Sequence, residues 1–280
     1  MTNPFMLPPT GFGPGSQLSG TEDETLEYMP LPQDMRTYSP RIPEVEEIEG
    51  DLTAALDVLG KVAEAAQRVS VDGGSAQFDL GALDAANRAL VAETLGSGEV
   101  AAKVRAIPAI AVQESVFAGV WSLKSATADV IEVAAIPGCI TDAPFDAVSP
   151  AQGTAALRAP GVANAPSILI ELQEKSASFD PAAPLHVVNL SLLPHTEADL
   201  VALDQACGTG AVTILSRGYG NCRVTATALP HVWRVQFFNS QDVLILDTFE
   251  VTGVPEVACA ASEDLADSAK RLTSVLEAIQ

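Results

Sequence analysis

The sequence repeats itself. Residues 96–121 and 208–233 align without a gap at a constant offset of 112, and Gly96, Gly98, Val100, Arg105, Val112, Val120 and Trp121 recur as Gly208, Gly210, Val212, Arg217, Val224, Val232 and Trp233. Chance would give roughly one or two identities over such a span, so the match marks an internal duplication. Further on, Glu132, Val133 and Pro137 recur as Glu250, Val251 and Pro255 at an offset of 118, which places six extra residues in the second copy near Phe237 to Asp242. Upstream, Leu83-Asp84 recurs as Leu203-Asp204, each pair within an expected helix. Two copies are too few for a solenoid, which needs about three or more repeats to bury a continuous core. The duplication predicts two lobes of about 100 residues each, related by a pseudo-two-fold.

Periodicity fills in the unit. Leu52, Leu56, Leu59 and Ala63 share one face of a helix expected over 47–68, and Leu83, Ala86 and Leu90 do the same over 80–94. Alternating or apolar runs predict strands over 99–106, 110–117, 119–125 and 130–136. The second copy reads as a helix over 167–178, a strand over 186–193, and a helix capped by Thr196 with Glu197 and Asp199 in its first turn. Strands follow over 211–217, 222–229, 232–238 and 243–251, then a last helix capped by Ser262. The expected fold is α+β: two tandem lobes of mainly antiparallel sheet with flanking helices. Residues 1–45, rich in proline, glycine and acid, read as a disordered or extended arm, in which Met29, Leu31, Met35, Tyr38 and Ile42 could line a surface. The first lobe spans 46–137, a proline- and glycine-rich linker spans 138–166, and the second lobe spans 167–280.

Charge excludes some functions. With 36 acidic and 15 basic residues the chain carries −21, the wrong sign for a nucleic-acid backbone or an anionic membrane surface. It suits a self-repelling protein or one that receives a basic partner. No run of about 18 apolar residues predicts a membrane span, and the uncharged, proline-broken start lacks the basic region of a secretory signal. Four scattered cysteines do not make a disulfide scaffold, so a cytoplasmic protein with reduced thiols is expected.

Few residues point to chemistry. Each Gly-x-Gly pair closes a helix and opens a strand, the reverse of a phosphate loop, so a glycine C-cap accounts for it. Cys139, Cys207, Cys222 and Cys259 show no Cys-x-x-Cys spacing, although Cys139 and Cys259 follow matching prolines. Cys222 stands out as a metal candidate because its Gly-Tyr-Gly-Asn turn is expected to be exposed. His186, His195 and His231 show no ligand spacing, and no Gly-x-Ser-x-Gly supports a nucleophile. Trp121 and Trp233, each set among apolar strand residues, are expected in the core. The most unusual string is "SRGYGNCR" (216–223), where the first copy has "RAIPAI". It reads either as a plain hairpin or as a recognition loop presenting Arg217, Tyr219, Asn221, Cys222 and Arg223.

The strings "LSRGYGNCR" (215–223), "VWRVQFFNSQDVLILDTFEV" (232–251) and "VPEVACAASEDLADSAKRL" (254–272) resemble the HupH/HyaF family of hydrogenase expression/formation proteins. "LGSGEV" (95–100), "QESVFAGVW" (113–121) and "MRTYSPRIPE" (35–44) fit the same resemblance. It implies an accessory role in maturing a nickel–iron uptake hydrogenase, as a non-enzymatic chaperone of the iron–sulfur small-subunit precursor before twin-arginine export. Other hydrogenase accessory proteins are further implied partners, and no resident cofactor or catalytic residue is implied. The alternative is a protein that handles nickel or an iron–sulfur cluster, with Cys222 among its thiols.

Overall fold

The computed structural model describes residues 50–217 and 221–279; the expected arm over 1–45 lies outside them. Each copy of the repeat is the same run of elements. In the first, helix α1 (Thr53–Asp72) leads to strand β1 (Ser75–Asp79) and helix α2 (Ala85–Leu95). Strands β2 (Val100–Val104), β3 (Ile110–Glu114), β4 (Val120–Lys124) and β5 (Asp129–Ala134) follow, then the short helix α3 (Gly138–Thr141). The second copy gives α4 (Ala165–Ala177), β6 (His186–Asn189), α5 (Glu197–Cys207), β7 (Val212–Ser216), β8 (Asn221–Ala226), β9 (Val232–Phe238) and β10 (Leu244–Val251). A 3-10 turn, Glu256–Ala258, stands where α3 stood, and helix α6 (Ser262–Ile279) has no counterpart.

Local chemistry sets the helix ends. Asp84 caps α2 by accepting the Asn87 N–H, and Thr196 caps α5 in a reciprocal capping box with Asp199. Asp84 and Thr196 differ by the offset of 112, so they are true counterparts. The apparent match of Asp84 with Asp204 is not structural, because Asp204 lies in the last turn of α5. Both helices stop at a left-handed glycine, Gly96 with φ 56° and Gly208 with φ 66°. The second glycine of each pair is required by crowding: a Cβ on Gly98 would lie 2.2 Å from the Ser115 carbonyl oxygen, and one on Gly210 2.5 Å from that of Thr227. Ser262 begins α6 as its first helical residue, and its hydroxyl bonds the Glu263 carboxylate.

The two expected lobes are halves of one sheet. Ten antiparallel strands run in the order β1-β5-β4-β3-β2-β7-β8-β9-β10-β6, joined at the centre by β2 and β7. At that junction Ala102 pairs with Ile214, its own counterpart in the repeat, flanked by Val100 opposite Ser216 and Val104 opposite Val212. The Arg105 N–H donates to the Ala211 carbonyl (2.8 Å) and the Arg217 N–H to that of Glu99 (3.1 Å), extending the ladder symmetrically at both ends. The outer strands β1 and β6 are counterparts too.

One face of the sheet carries a core shared by both halves. Trp121 and Trp233 are buried there with Val112, Ile214, Val224 and Val235, and Ile140 of α3 and Ala258 belong to the same cluster. Each indole removes on the order of 200 Å² from water, and its N–H donates to a backbone carbonyl, Ala134 or Gly253. The opposite face carries two separate cores. Over the first half α1, α2 and α6 bury Val120, Ile131 and Val133; over the second, α4 and α5 bury Val232, Phe249 and Val251. Helix α6, expected in the second lobe, thus packs on the first, where Leu265, Leu272 and Leu276 each contribute roughly 1.5–3 kcal/mol of burial. The stretch 138–166, expected as a linker, is built into the fold. Ile140 and Ala156 are core residues, and Ser149 forms a bridge with Thr209. Among the described residues no helix is long and apolar enough to cross a membrane.

Candidate functional site

The β7–β8 hairpin carries the residues singled out in the sequence. Arg217, Asn221, Cys222 and Arg223 line a cavity of about 420 Å³ with Leu215, Ser216, Phe238 and Asp242. Tyr219 lies outside the described residues. The Asn221 amide donates to the Asp242 carboxylate (2.9 Å), and the Arg223 guanidinium lies over the Phe238 ring at 5.5 Å. Asp242 has φ 58° in a turn held by the Asn239 side chain, whose oxygen accepts the N–H groups of Gln241 and Val243. This turn belongs to the six-residue insertion of the second copy. The loop that diverged and the segment that was inserted therefore meet in one cavity.

Cys222 departs from expectation. It is buried, its side chain in the core of Trp233 and Val235 rather than in the loop. Strand alternation sets this: Cys222 stands two residues before Val224 and four before Ala226, both inward. Burial, and then the Glu250 carboxylate, push its thiol up to about 11. Burial likewise pushes Cys139 up to about 11 and Cys207 up to about 12. Such thiols are protonated at neutral pH, whereas metal ligands and nucleophiles need the thiolate. Among the described residues no three His, Cys, Asp or Glu side chains cluster as a metal site. The histidines are dispersed: His186 bonds Glu171 (2.9 Å), His195 bonds the Leu193 carbonyl (2.8 Å), and His231 stacks on Phe179 at 4.0 Å.

A larger feature was not read from the sequence. On the helix-bearing face, α1 packs over β1 and β5 and α4 over β10, while the middle strands stay open. The walls of the resulting trough are α2 and α5, themselves repeat counterparts. Arg88, Val91 and Leu95 of α2 share a cavity of about 380 Å³ with Ala101, Gln113 and Lys124 of the sheet. On the other side, Asp204 of α5 pairs with Arg234 of β9, which also forks onto Asp247. Register places Lys124, Ala111, Lys103, Thr213 and Thr225 in one row across the floor, and Gln113, Ala101, Leu215 and Arg223 in the next. Arg105 lies along it, donating from Nη1 to the Thr213 hydroxyl (2.9 Å). Arg105 was legible as the counterpart of Arg217. The period-two placement of Lys103 and Arg105 on β2 and beyond was the other available signal.

Both copies of the duplicated unit are matched by the profile of one known protein family. Its profile, described as "HupH hydrogenase expression protein, C-terminal conserved region", matches residues 52–158 and again 162–279. The chain belongs to this HupH family. It is 58% identical over 280 residues to "Hydrogenase expression/formation protein HupH" of Rhodobacter capsulatus, covering 100% of each chain. It is 46% identical to "Hydrogenase expression/formation protein HoxQ" of Cupriavidus necator, covering 98% of each. With "Hydrogenase-1 operon protein HyaF" of Escherichia coli it shares 31% identity over 206 residues, 71% of this chain and 72% of that one.

Proposed function

We propose that this chain is an accessory protein of hydrogenase maturation that acts in the cytoplasm as a non-catalytic, dedicated chaperone. Its client is the iron–sulfur small-subunit precursor of a nickel–iron uptake hydrogenase, held before export. Family membership supports the accessory role. The observation that carries the chaperone reading is the free edge strand β6. Among the described residues it pairs with β10 on one side only, and Val187 is exposed on it, with Leu185, Leu192 and Leu193 exposed close by in the chain. An unpaired ladder beside apolar side chains is the arrangement that receives an extended segment by strand addition. The net charge of −21 supplies a field that attracts a basic leader.

The test is an anaerobic pull-down from cells making the hydrogenase, with mass spectrometry and metal analysis on one eluate. Uncleaved precursor on a metal-free bait is the expected result, with capture weakened by salt and by Val187→Pro on the edge. A bait carrying stoichiometric nickel or iron would replace this reading with cofactor delivery.

A further inference from the structure

We propose that the trough between α2 and α5 is a docking site for an acidic polypeptide segment of a partner protein. The first argument is charge. Lys103, Arg105, Lys124, Arg217 and Arg223 are all exposed on or beside the trough, five of the chain's 15 basic residues. None of them forms an ion pair among the described residues. The chain has 36 acidic residues, yet β3, β2, β7 and β8 carry no carboxylate in these rows; Asp129 opposite Lys124, and Asp242 in the cavity of Arg217 and Arg223, stand at the margins, so the cations outnumber the carboxylates beside them. A protein this acidic has carboxylates to spare for its own cations, yet no ion pair forms with these five among the described residues.

The second argument is geometry. Arg105 and Arg217 extend the β2–β7 ladder at opposite ends, each through its own backbone N–H. Six residue steps separate those ends, or roughly 20 Å. The row from Lys124 to Thr225 crosses five strands, roughly 19 Å, enough for one helix of about 10–12 Å or an extended chain. Arg105 is already laid on the floor by its bond to Thr213, so little side-chain freedom is lost when a carboxylate arrives. Planar guanidinium groups at both ends suit bidentate carboxylate contacts.

Other occupants fit less well. A nucleic acid would bring a dense line of phosphates into the field of a chain at −21, and a second copy would bring the same charge again. A short acidic segment meets the cations without either cost once the distant surface is screened. The inference stands apart from the chaperone reading, since the leader of that client is basic and this site takes the opposite charge.

The test uses a fluorescein-labelled Glu/Ala peptide of about thirteen residues, long enough to span the trough as a helix. Binding is followed by anisotropy at about 0.15 M salt, where charges beyond roughly 8 Å are screened. The full chain is expected to bind, and Lys103→Glu with Arg223→Glu to weaken binding at least tenfold. The neutral pair Lys103→Gln with Arg223→Gln should fall between, and Lys61→Glu with Lys270→Glu, on α1 and α6, should bind as wild type does. Circular dichroism and melting curves confirm that each variant folds. The proposal is overturned by a wild-type chain that does not bind the peptide, or by trough variants that bind it equally well. It is also overturned if an oligonucleotide of matched charge binds more tightly than the peptide. Self-association that the trough variants abolish would instead assign the face to a second copy.

Discussion

Ala102 lies opposite Ile214, the residue that occupies its own place in the other half of the molecule. The pseudo-two-fold therefore passes through this pair, and the two copies meet there by backbone pairing rather than by lobe-on-lobe contact. Both side chains are buried on the face of the shared tryptophan core. A small residue faces a large one across the axis, so the symmetric positions have settled on a complementary volume.

That complementarity predicts a non-additive pair. Ile214→Ala should cost roughly 2–5 kcal/mol through the cavity it leaves, and Ala102→Ile roughly 1–3 kcal/mol through overpacking. The double swap restores the summed volume and should be less destabilised than the two single losses added together. Urea denaturation of the four proteins measures this, and simple additivity would show that the two sites do not share their space.

Crowding at the paired glycines predicts opposite outcomes for one kind of substitution. Gly210→Ala places a Cβ 2.4 Å from the Pro144 oxygen, backbone that cannot yield cheaply, and should lower stability by several kcal/mol or prevent folding. Gly60→Ala, within α1 and with nothing within 4 Å of the new Cβ, should raise it by roughly 0.5–1 kcal/mol. Melting temperatures that moved in the same direction would contradict the close approach at Gly210.

Two buried carboxyl groups set pH responses of opposite sign. Burial pushes Glu114 up to about 7, with Glu99 and Asp264 adding to it, although the Gly119 N–H donates to its Oε1. Its unfolded form ionises first, so stability falls as pH rises from the ordinary value of 4.5 through 7. Glu114→Gln should remove that fall and leave the protein about 1–3 kcal/mol more stable at pH 8. Asp199 is the reverse. Burial opposes its charge, but the N–H groups of Ala165, Thr196, Ala163 and Asn164 hold it well below the usual carboxylate range. Its contribution is present above about pH 4 and is lost as pH falls below it. Asp199→Asn should cost roughly 2–3 kcal/mol at neutral pH and flatten the acid limb. Stability measured by denaturation from pH 3 to 8 separates the two.

The repeat made much of this fold readable. The constant offset marked Arg105 with Arg217, both glycine pairs and both tryptophans, because each satisfies a local requirement that both copies share. Cys222 could have been placed as well, since alternation with Val224 and Ala226 turns it inward; the turn residues before it drew attention outward. The union of the halves was not readable. Pairing of β2 with β7 joins segments more than 100 residues apart and leaves no trace in either strand's own pattern. β1 was missed because Ser75–Asp79 offers only Ala76 and Phe78 as half-buried positions. The trough is a consequence of that union, which is why its cations are scattered in sequence and gathered only across the junction.

Helix α6 belongs by packing to the half that the ribosome makes first. The strands of that half are complete by Ala134, but Leu265, Leu272 and Leu276 are not yet made. At ~5–20 residues per second the apolar side of α1 waits on the order of ten seconds for its cover. During that interval the nascent chain has a half-built core that only its own last helix, or a borrowed one, can close. The molecule is thus laced shut from its far end, and neither copy of the repeat can reach its final state as an independent folding unit.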